Sequence, residues 1–242
     1  VFYRLARFVS LLFHPLWIPT FLFAIIFKFV PSLASPINQE LMPRMLLVIF
    51  ALTGVIPLVT LMLMRLPYFI MIVRLWARQL ANGTGSTRTL LGLRPQIEMV
   101  RRQSVIQSFS MSDRSERIIP FFVITAFYLA VCIMMSNRMG WDSFFIIAMM
   151  TITAISLIVS LTTLYWKISV HSIAASSIVG FLMAAMLIRA ETALLLPFAG
   201  CIVLAGTVMS ARLYLNEHTP AQVGWGCLIG FSISFIVTWI YL

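Results

Sequence analysis

Charge is scarce in this sequence. Of 242 residues only 10% are Asp, Glu, Lys or Arg, 61% are hydrophobic, and just seven are acidic. An ordinary soluble domain carries roughly 25% charged and about 45–50% apolar residues. There is too little polar surface to coat a water-exposed globule, which excludes a soluble fold and a disordered chain alike. Cysteine is scarcer still: Cys132, Cys201 and Cys227 cannot pair evenly into a disulfide framework, and each sits in an apolar run, where a thiol packs as a small hydrophobe. All seven acids lie at or beyond the ends of the apolar runs. The intramembrane carboxylates of an ion or proton relay are therefore lacking, which argues against a transporter. The glycines of Asn82-Gly83-Thr84-Gly85-Ser86 have neither a preceding strand nor a Gly-Lys-Ser/Thr ending, so they form no phosphate loop. No internal repeat is evident.

What is abundant is apolar length. A membrane-spanning helix needs about 20 mostly apolar residues, and seven stretches qualify, at roughly 8–30, 45–64, 118–136, 143–166, 172–188, 193–210 and 223–242. The expectation is an all-α, polytopic transmembrane helical bundle of about seven spans, with six or eight as the neighbouring counts. It forms one integral membrane domain over residues 1–242. The weakest spans are 172–188, which is short, and 8–30, which carries His14, Pro15, Pro19 and Lys28. The latter reads as a retained helix rather than a signal peptide, because its apolar stretch exceeds the 7–15 residues usual for a signal. Pro57 and Pro197 are expected to kink their helices, since neighbouring groups can satisfy the freed carbonyls. The connection 65–117 is long and basic. Its apolar, cationic opening from Leu66 to Trp76 suits a helix lying in the membrane interface.

The net charge of +10 comes from fifteen arginines and two lysines. No basic run interleaved with aromatics lies outside the apolar segments, so nucleic acid is not the expected partner; cytoplasmic loops and lipid headgroups account for the excess. Counting spans puts the N-terminus, 65–117, 166–171 and 211–222 on one face of the membrane. That face collects Arg114 and Arg117, Lys167, Ser169 and His171, then Arg212 and His218. Glu191 with Arg189 and Asp142 with Arg138 fall on the opposite face as interfacial pairs. A basic residue at a helix end ordinarily reaches for headgroups, but seven polar groups on one face suggest a shared pocket. Arginine offers a planar fork that matches phosphate oxygens, and lysine a compact charge. One histidine can attack phosphorus while another protonates the leaving oxygen. No metal and no cofactor are expected, because two histidines without a nearby Cys or Asp leave zinc short of ligands. His14, just inside the first span on this face, is expected to be interfacial, although it lies where it could line the pocket.

From Arg212 the chain runs through Glu217, His218, Thr219 and Pro220 to Gln222, Val223 and Gly230. This resembles the third motif of the type 2 phosphatidic acid phosphatase (PAP2) superfamily: Ser-Arg, five residues, His, three residues, Asp. Arg212 and His218 keep the spacing; Ala211 stands in place of the serine, with Ser210 one position earlier, and Gln222 in place of the aspartate. Ile168-Ser169-Val170-His171 resembles the second motif, Pro-Ser-Gly-His, with Val170 replacing the glycine. Asp113-Arg114-Ser115-Glu116-Arg117-Ile118-Ile119-Pro120 lies where the first motif, Lys-x6-Arg-Pro, belongs in order, and the resemblance implies Lys167 as the stand-in for its lysine. The resemblance covers roughly 113–230, a PAP2-like core, and marks a divergent branch.

It implies a membrane phosphatase that hydrolyses a lipid phosphate or pyrophosphate through a phosphohistidine. His218 would be the nucleophile, His171 the acid for the leaving group, and Gln222 the group that orients His218. Arg114, Arg117, Lys167, Ser169 and Arg212 would hold the phosphate. The alternative is a catalytically silent relative that binds a phosphorylated lipid or supports a membrane assembly. The small-residue pair Gly226 and Gly230 is expected to serve helix packing. Basic residues divide thirteen on the motif face and four opposite, which makes that face cytoplasmic, in a bacterial inner membrane. Without the nine in 65–117 the split is four and four.

Overall fold

The computed structural model describes residues 2–34, 37–65, 115–140 and 143–242. Arg114, the expected interfacial helix and most of the 65–117 connection lie outside the described residues. The ordered elements are α1 (Phe2–Leu12), α2 (Ile18–Phe29), α3 (Met42–Ile49), α4 (Ile56–Arg65), α5 (Ser115–Met139), α6 (Phe144–Thr163), α7 (Val170–Arg189), α8 (Leu195–Tyr214) and α9 (Pro220–Tyr241). The described residues contain no strand. They hold seven segments long and apolar enough to cross a membrane: Phe2–Phe29, Gln39–Met64, Glu116–Asn137, Phe144–Thr163, Val170–Arg189, Thr192–Tyr214 and Pro220–Tyr241. Large apolar side chains such as Leu196, Val203 and Ile240 face outward from them, as lipid-facing residues do.

Two of the seven are interrupted, each for a reason legible in its residues. Between α1 and α2 the chain passes through a 3-10 turn, Pro15–Trp17, with His14 in extended conformation immediately before it. Extended backbone is what a residue preceding proline prefers. Between α3 and α4, Phe50–Val55 form a π-helical stretch. Pro57 follows it, and lacks the N–H that would have bonded the Thr53 carbonyl four residues back. The Tyr128 hydroxyl of α5 donates to that carbonyl instead, at 2.9 Å, so the helix continues past the proline. The π-helical stretch also brings Gly54 so close to the Trp17 ring that a Cβ there would sit 2.6 Å from it. Pro197 does not fill the kinking role expected of it. It lies in the first turn of α8, where its missing N–H would have lacked an intrahelical partner anyway.

α7, which with α9 has the lowest mean hydropathy of the described spans, is the most enclosed of them. Its small and hydroxyl side chains (Ser172, Ala175, Ser176, Ala184 and Ala185) are buried against neighbouring helices rather than presented to lipid. It packs chiefly on α9 and next on α8, while α5 pairs with α6 and α1 lies along α8. The α7–α9 contact is backbone against backbone. A Cβ added at Gly230 would run into the Ile173 carbonyl, one at Gly180 into the Phe231 carbonyl, and one at Gly226 into the Ser169 carbonyl. Small residues thus let the two helices approach, as expected of Gly226 and Gly230. The Ser169 N–H donates to the Gln222 carbonyl at 3.4 Å, tying the starts of α7 and α9 to the same end of the bundle.

Candidate functional site

The turn that joins α8 to α9 is built from local hydrogen bonds. The N–H groups of Leu215, Asn216 and Glu217 donate to the carbonyls of Ala211, Leu213 and Arg212, closing α8. Asn216 takes a positive φ of 52°, a conformation that asparagine tolerates better than most residues. Thr219 then caps α9. Its hydroxyl accepts from the Gln222 N–H, and the Gln222 side chain reaches back to the Thr219 N–H: a full capping box with Pro220 at the first helical position. His218 is held in the angle between the two helices and is 7% exposed.

Gln222 has a second task. Its Oε1 accepts from the Thr219 N–H at 3.3 Å and lies 3.0 Å from His218 Nδ1. A backbone N–H can only donate, so it is the amide oxygen that faces this side; Nδ1 must then carry the imidazole proton. The lone pair of His218 is left on Nε2. Burial holds the ring's pKa down to about 4, and the charges of Arg117, Arg212 and Lys167 add to that effect, against the opposing bond to Gln222. At neutral pH His218 is an uncharged imidazole with a bare Nε2. Glu217 does not supply the charge that Gln222 lacks: its carboxylate is 3.8 Å from the Arg212 guanidinium.

His218 lines a cavity of about 170 Å3 together with His171, His14, Arg117 and Arg212. Both arginines are buried, at 5% and 8% exposed. Arg117 stands in the first turn of α5 and Arg212 in the last turn of α8. The Arg212 Nε is buried without a hydrogen-bond partner, an unsatisfied donor of the kind that an anion would satisfy. His171, in the first turn of α7, has Nε2 3.1 Å from the Ser10 carbonyl. A carbonyl only accepts, so Nε2 carries the proton and Nδ1 the lone pair. Protonation at Nδ1 would leave the bond to Ser10 intact. Below the polar groups the lining is largely apolar, including Leu61, Ile124, Ile152 and Tyr128, with Ser156 and Ser177 among them. From Arg117 to Tyr128 is three turns of α5, ~16 Å at 1.5 Å per residue.

The structure thus brings together His171, His218, Arg117 and Arg212, and sets Gln222 directly on His218. Two other residues expected at the site are placed differently. Ser169 is fully buried and does not line the cavity. Its hydroxyl caps α7, accepting from the Ser172 N–H at 3.4 Å and the Ser172 hydroxyl at 2.8 Å. Lys167, half-buried in the turn before α7, is also not a lining residue, although its charge is felt at His218. Arg114 lies outside the described residues. His14, expected to be merely interfacial, lines the cavity and meets His171 edge to face, with ring centroids 5.5 Å apart. Among the described residues no group of three or more His, Cys, Asp and Glu side chains is arranged to hold a metal ion.

Compared with known proteins, residues 161–242 match the model of the PAP2 superfamily, which supports membership of the chain in that superfamily. The matched segment begins in the last turns of α6 and runs to Leu242. It includes His171, Arg212, His218 and Gln222, but neither Arg117 nor His14. No curated protein and no solved structure matches the chain.

Proposed function

We propose that this seven-span protein of the PAP2 superfamily hydrolyses the phosphate ester or diphosphate of a membrane lipid, with His218 as nucleophile. Members of that superfamily are generally phosphatases, which supports this reaction class. The observation that carries the reading is the His218–Gln222 pair: a neutral imidazole oriented by its own helix, with a bare Nε2 in a cavity that also holds two buried guanidinium groups. In the first step the Nε2 lone pair forms an N–P bond as the bond from phosphorus to the lipid oxygen breaks, and that oxygen takes a proton from His171 in its imidazolium form. Water then attacks phosphorus and gives its proton to His171 Nδ1, and the N–P bond breaks, releasing phosphate. Arg117 and Arg212 stabilise the charge on the equatorial oxygens. Lys167 adds long-range positive charge, while Arg114 is taken as a further phosphate ligand and Ser169 as the cap that fixes the start of α7.

An amphiphilic substrate suits the cavity's shape, with cations at the helix ends and an apolar slot running down α5 and α6. On the positive-inside argument the site faces the cytoplasm of a bacterial inner membrane. A second reading, lipid-phosphate binding without turnover, is favoured by Gln222, which brings no negative charge to the nucleophile. Purified protein in detergent decides between them. Assayed on a panel of phosphorylated lipids with and without chelator, it should release phosphate in both conditions, and His218→Ala should release none. Tight binding of a phosphorylated lipid with no release would establish the second reading.

A further inference from the structure

His14 belongs to neither the matched segment nor any motif, yet its ring is fixed in the same cavity. Its backbone is extended ahead of Pro15, and its Nδ1 accepts from the Leu16 N–H at 3.4 Å, capping the Pro15–Trp17 turn. Since that N–H can only donate, Nδ1 holds the lone pair and the proton sits on Nε2. Protonating the ring would set a second N–H against the Leu16 N–H, so the local geometry favours the neutral form. His14 is therefore an N–H donor without a charge. His171 differs: its tautomer is fixed through Nε2 by the Ser10 carbonyl, which leaves the lone pair on Nδ1. The two rings meet nearly perpendicular, at 83°, and both line the cavity with Arg117, Arg212 and His218.

We propose that His14 is a third catalytic histidine, whose Nε2–H donates a hydrogen bond to a phosphoryl oxygen in the cavity. The assignment rests on the reading that this cavity takes a phosphoryl group. It gives the N-terminal helices a direct part in the chemistry: Ser10 orients the proton carrier and His14 binds the oxyanion. A neutral donor adds to oxyanion stabilisation without further positive charge beside His218, whose Nε2 has to stay unprotonated to attack.

Two substitutions separate the ring's two nitrogens. Asparagine at 14 places an acceptor near the Nδ1 position, keeps the cap on Leu16 and loses the reach of Nε2. Glutamine places an amide N–H near Nε2 and loses the cap. Calorimetry of the full-length protein in detergent, titrated with orthovanadate and with inorganic phosphate, should show His14→Asn binding both about tenfold or more weakly than wild type, as for loss of a hydrogen bond to a charged group. Its melting temperature should be unchanged, and His14→Gln should bind within a few-fold of wild type. Wild-type affinity in His14→Asn overturns the proposal, as does an equal loss in both variants. Because His14→Asn could fail to fold, wild-type protein labelled with 15N-histidine supplies a check that needs no variant. At neutral pH two rings should carry their proton on Nε2 and one, His218, on Nδ1. Two or more rings protonated on Nδ1 overturn the assignment. If wild type binds neither oxyanion, the phosphatase reading fails along with it; if wild type binds and His14→Asn binds equally, only the role of His14 fails.

Discussion

The cavity's two central histidines are held in opposite ways. His218 is oriented by a side chain four residues further along, in the first turn of the helix it precedes, and the same amide completes that helix's capping box. His171 is oriented by the Ser10 carbonyl at the far end of the chain, reached only because α1 packs along α8 and the 3-10 turn after it packs on α7. The first arrangement is written in adjacent residues and forms with the turn itself. The second exists only once the N-terminal helices have docked. His218 is thus held by a local construction within the segment matched by the superfamily, and the orientation of His171 depends on a part of the chain outside it.

Variants can break or sharpen that contrast, and the largest effect belongs to the local side. His218→Ala should reduce lipid-phosphate turnover to background, at least ~10³-fold, because it removes the Nε2 lone pair that attacks phosphorus in the proposed reaction. Its melting temperature in detergent should remain near that of wild type. On the long-range side, His171→Gln keeps an N–H for the Ser10 carbonyl but cannot carry a proton. Turnover should fall by about 10²- to 10⁴-fold, the usual worth of general acid–base catalysis, with the fold retained. Unchanged turnover would remove His171 from the chemistry and leave it a tether for α1.

Gly230→Ala tests the framework that both histidines share. A Cβ there meets the Ile173 carbonyl, and rigid backbone has to move, so stability should drop by about 1–3 kcal/mol, the cost typical of overpacking. Thermal unfolding in detergent measures it, and activity should fall with it because α9 carries Gln222 away from α7. No loss of stability would mean that the helices are not pressed together as described.

The smallest effect is a shift rather than a loss. The His218 pKa of about 4 makes the reactive neutral form dominant at every pH above that value. The acid limb of kcat/KM should therefore fall only as pH drops through about 4. Gln222→Glu preserves the side-chain length and the capping box while adding negative charge, which favours the imidazolium. The acid limb should move to higher pH by about one unit, equivalent to ~1.4 kcal/mol. An unmoved limb would show that residue 222 does not face the nucleophile. Aspartate, the residue of the superfamily pattern, is a methylene shorter and tests the same charge with a poorer cap.

What the sequence discloses follows the same divide between local and distant. Seven apolar stretches are legible because hydrophobic length is a property of neighbours, and all seven are present as spans. Most begin earlier than the apolar runs, although the fourth starts at Phe144 and stops at Thr163 rather than near 166: α7 begins at Val170 rather than near 172, since Ser169 and its hydroxyl provide a cap. The Thr219-Pro220-Ala221-Gln222 capping box, seen in the structure, explains why an amide at 222 is held in place whether or not a carboxylate is needed there. The proline at 57 announces a freed carbonyl, but nothing local says that Tyr128 satisfies it. His14 could not be assigned from its neighbours for the same reason. A histidine before a proline at a span boundary has an ordinary interfacial explanation, and only the packing of the 3-10 turn and α2 against α7 sets its ring beside His171. Ser169 illustrates the reverse error: a hydroxyl at motif spacing invites a phosphate-binding role, while the immediate need of α7 for an N-cap occupies it.

The central claim is that His218 Nε2 becomes bonded to phosphorus. It is tested most directly by mixing the purified protein with a 32P-labelled lipid phosphate or diphosphate, quenching within a turnover under alkaline conditions, where a phosphohistidine survives, and mapping the label by mass spectrometry. Phosphate on residue 218, absent from His218→Ala, is the result expected here. Phosphate release by wild type with no label at His218, and release that persists in His218→Ala, would contradict it.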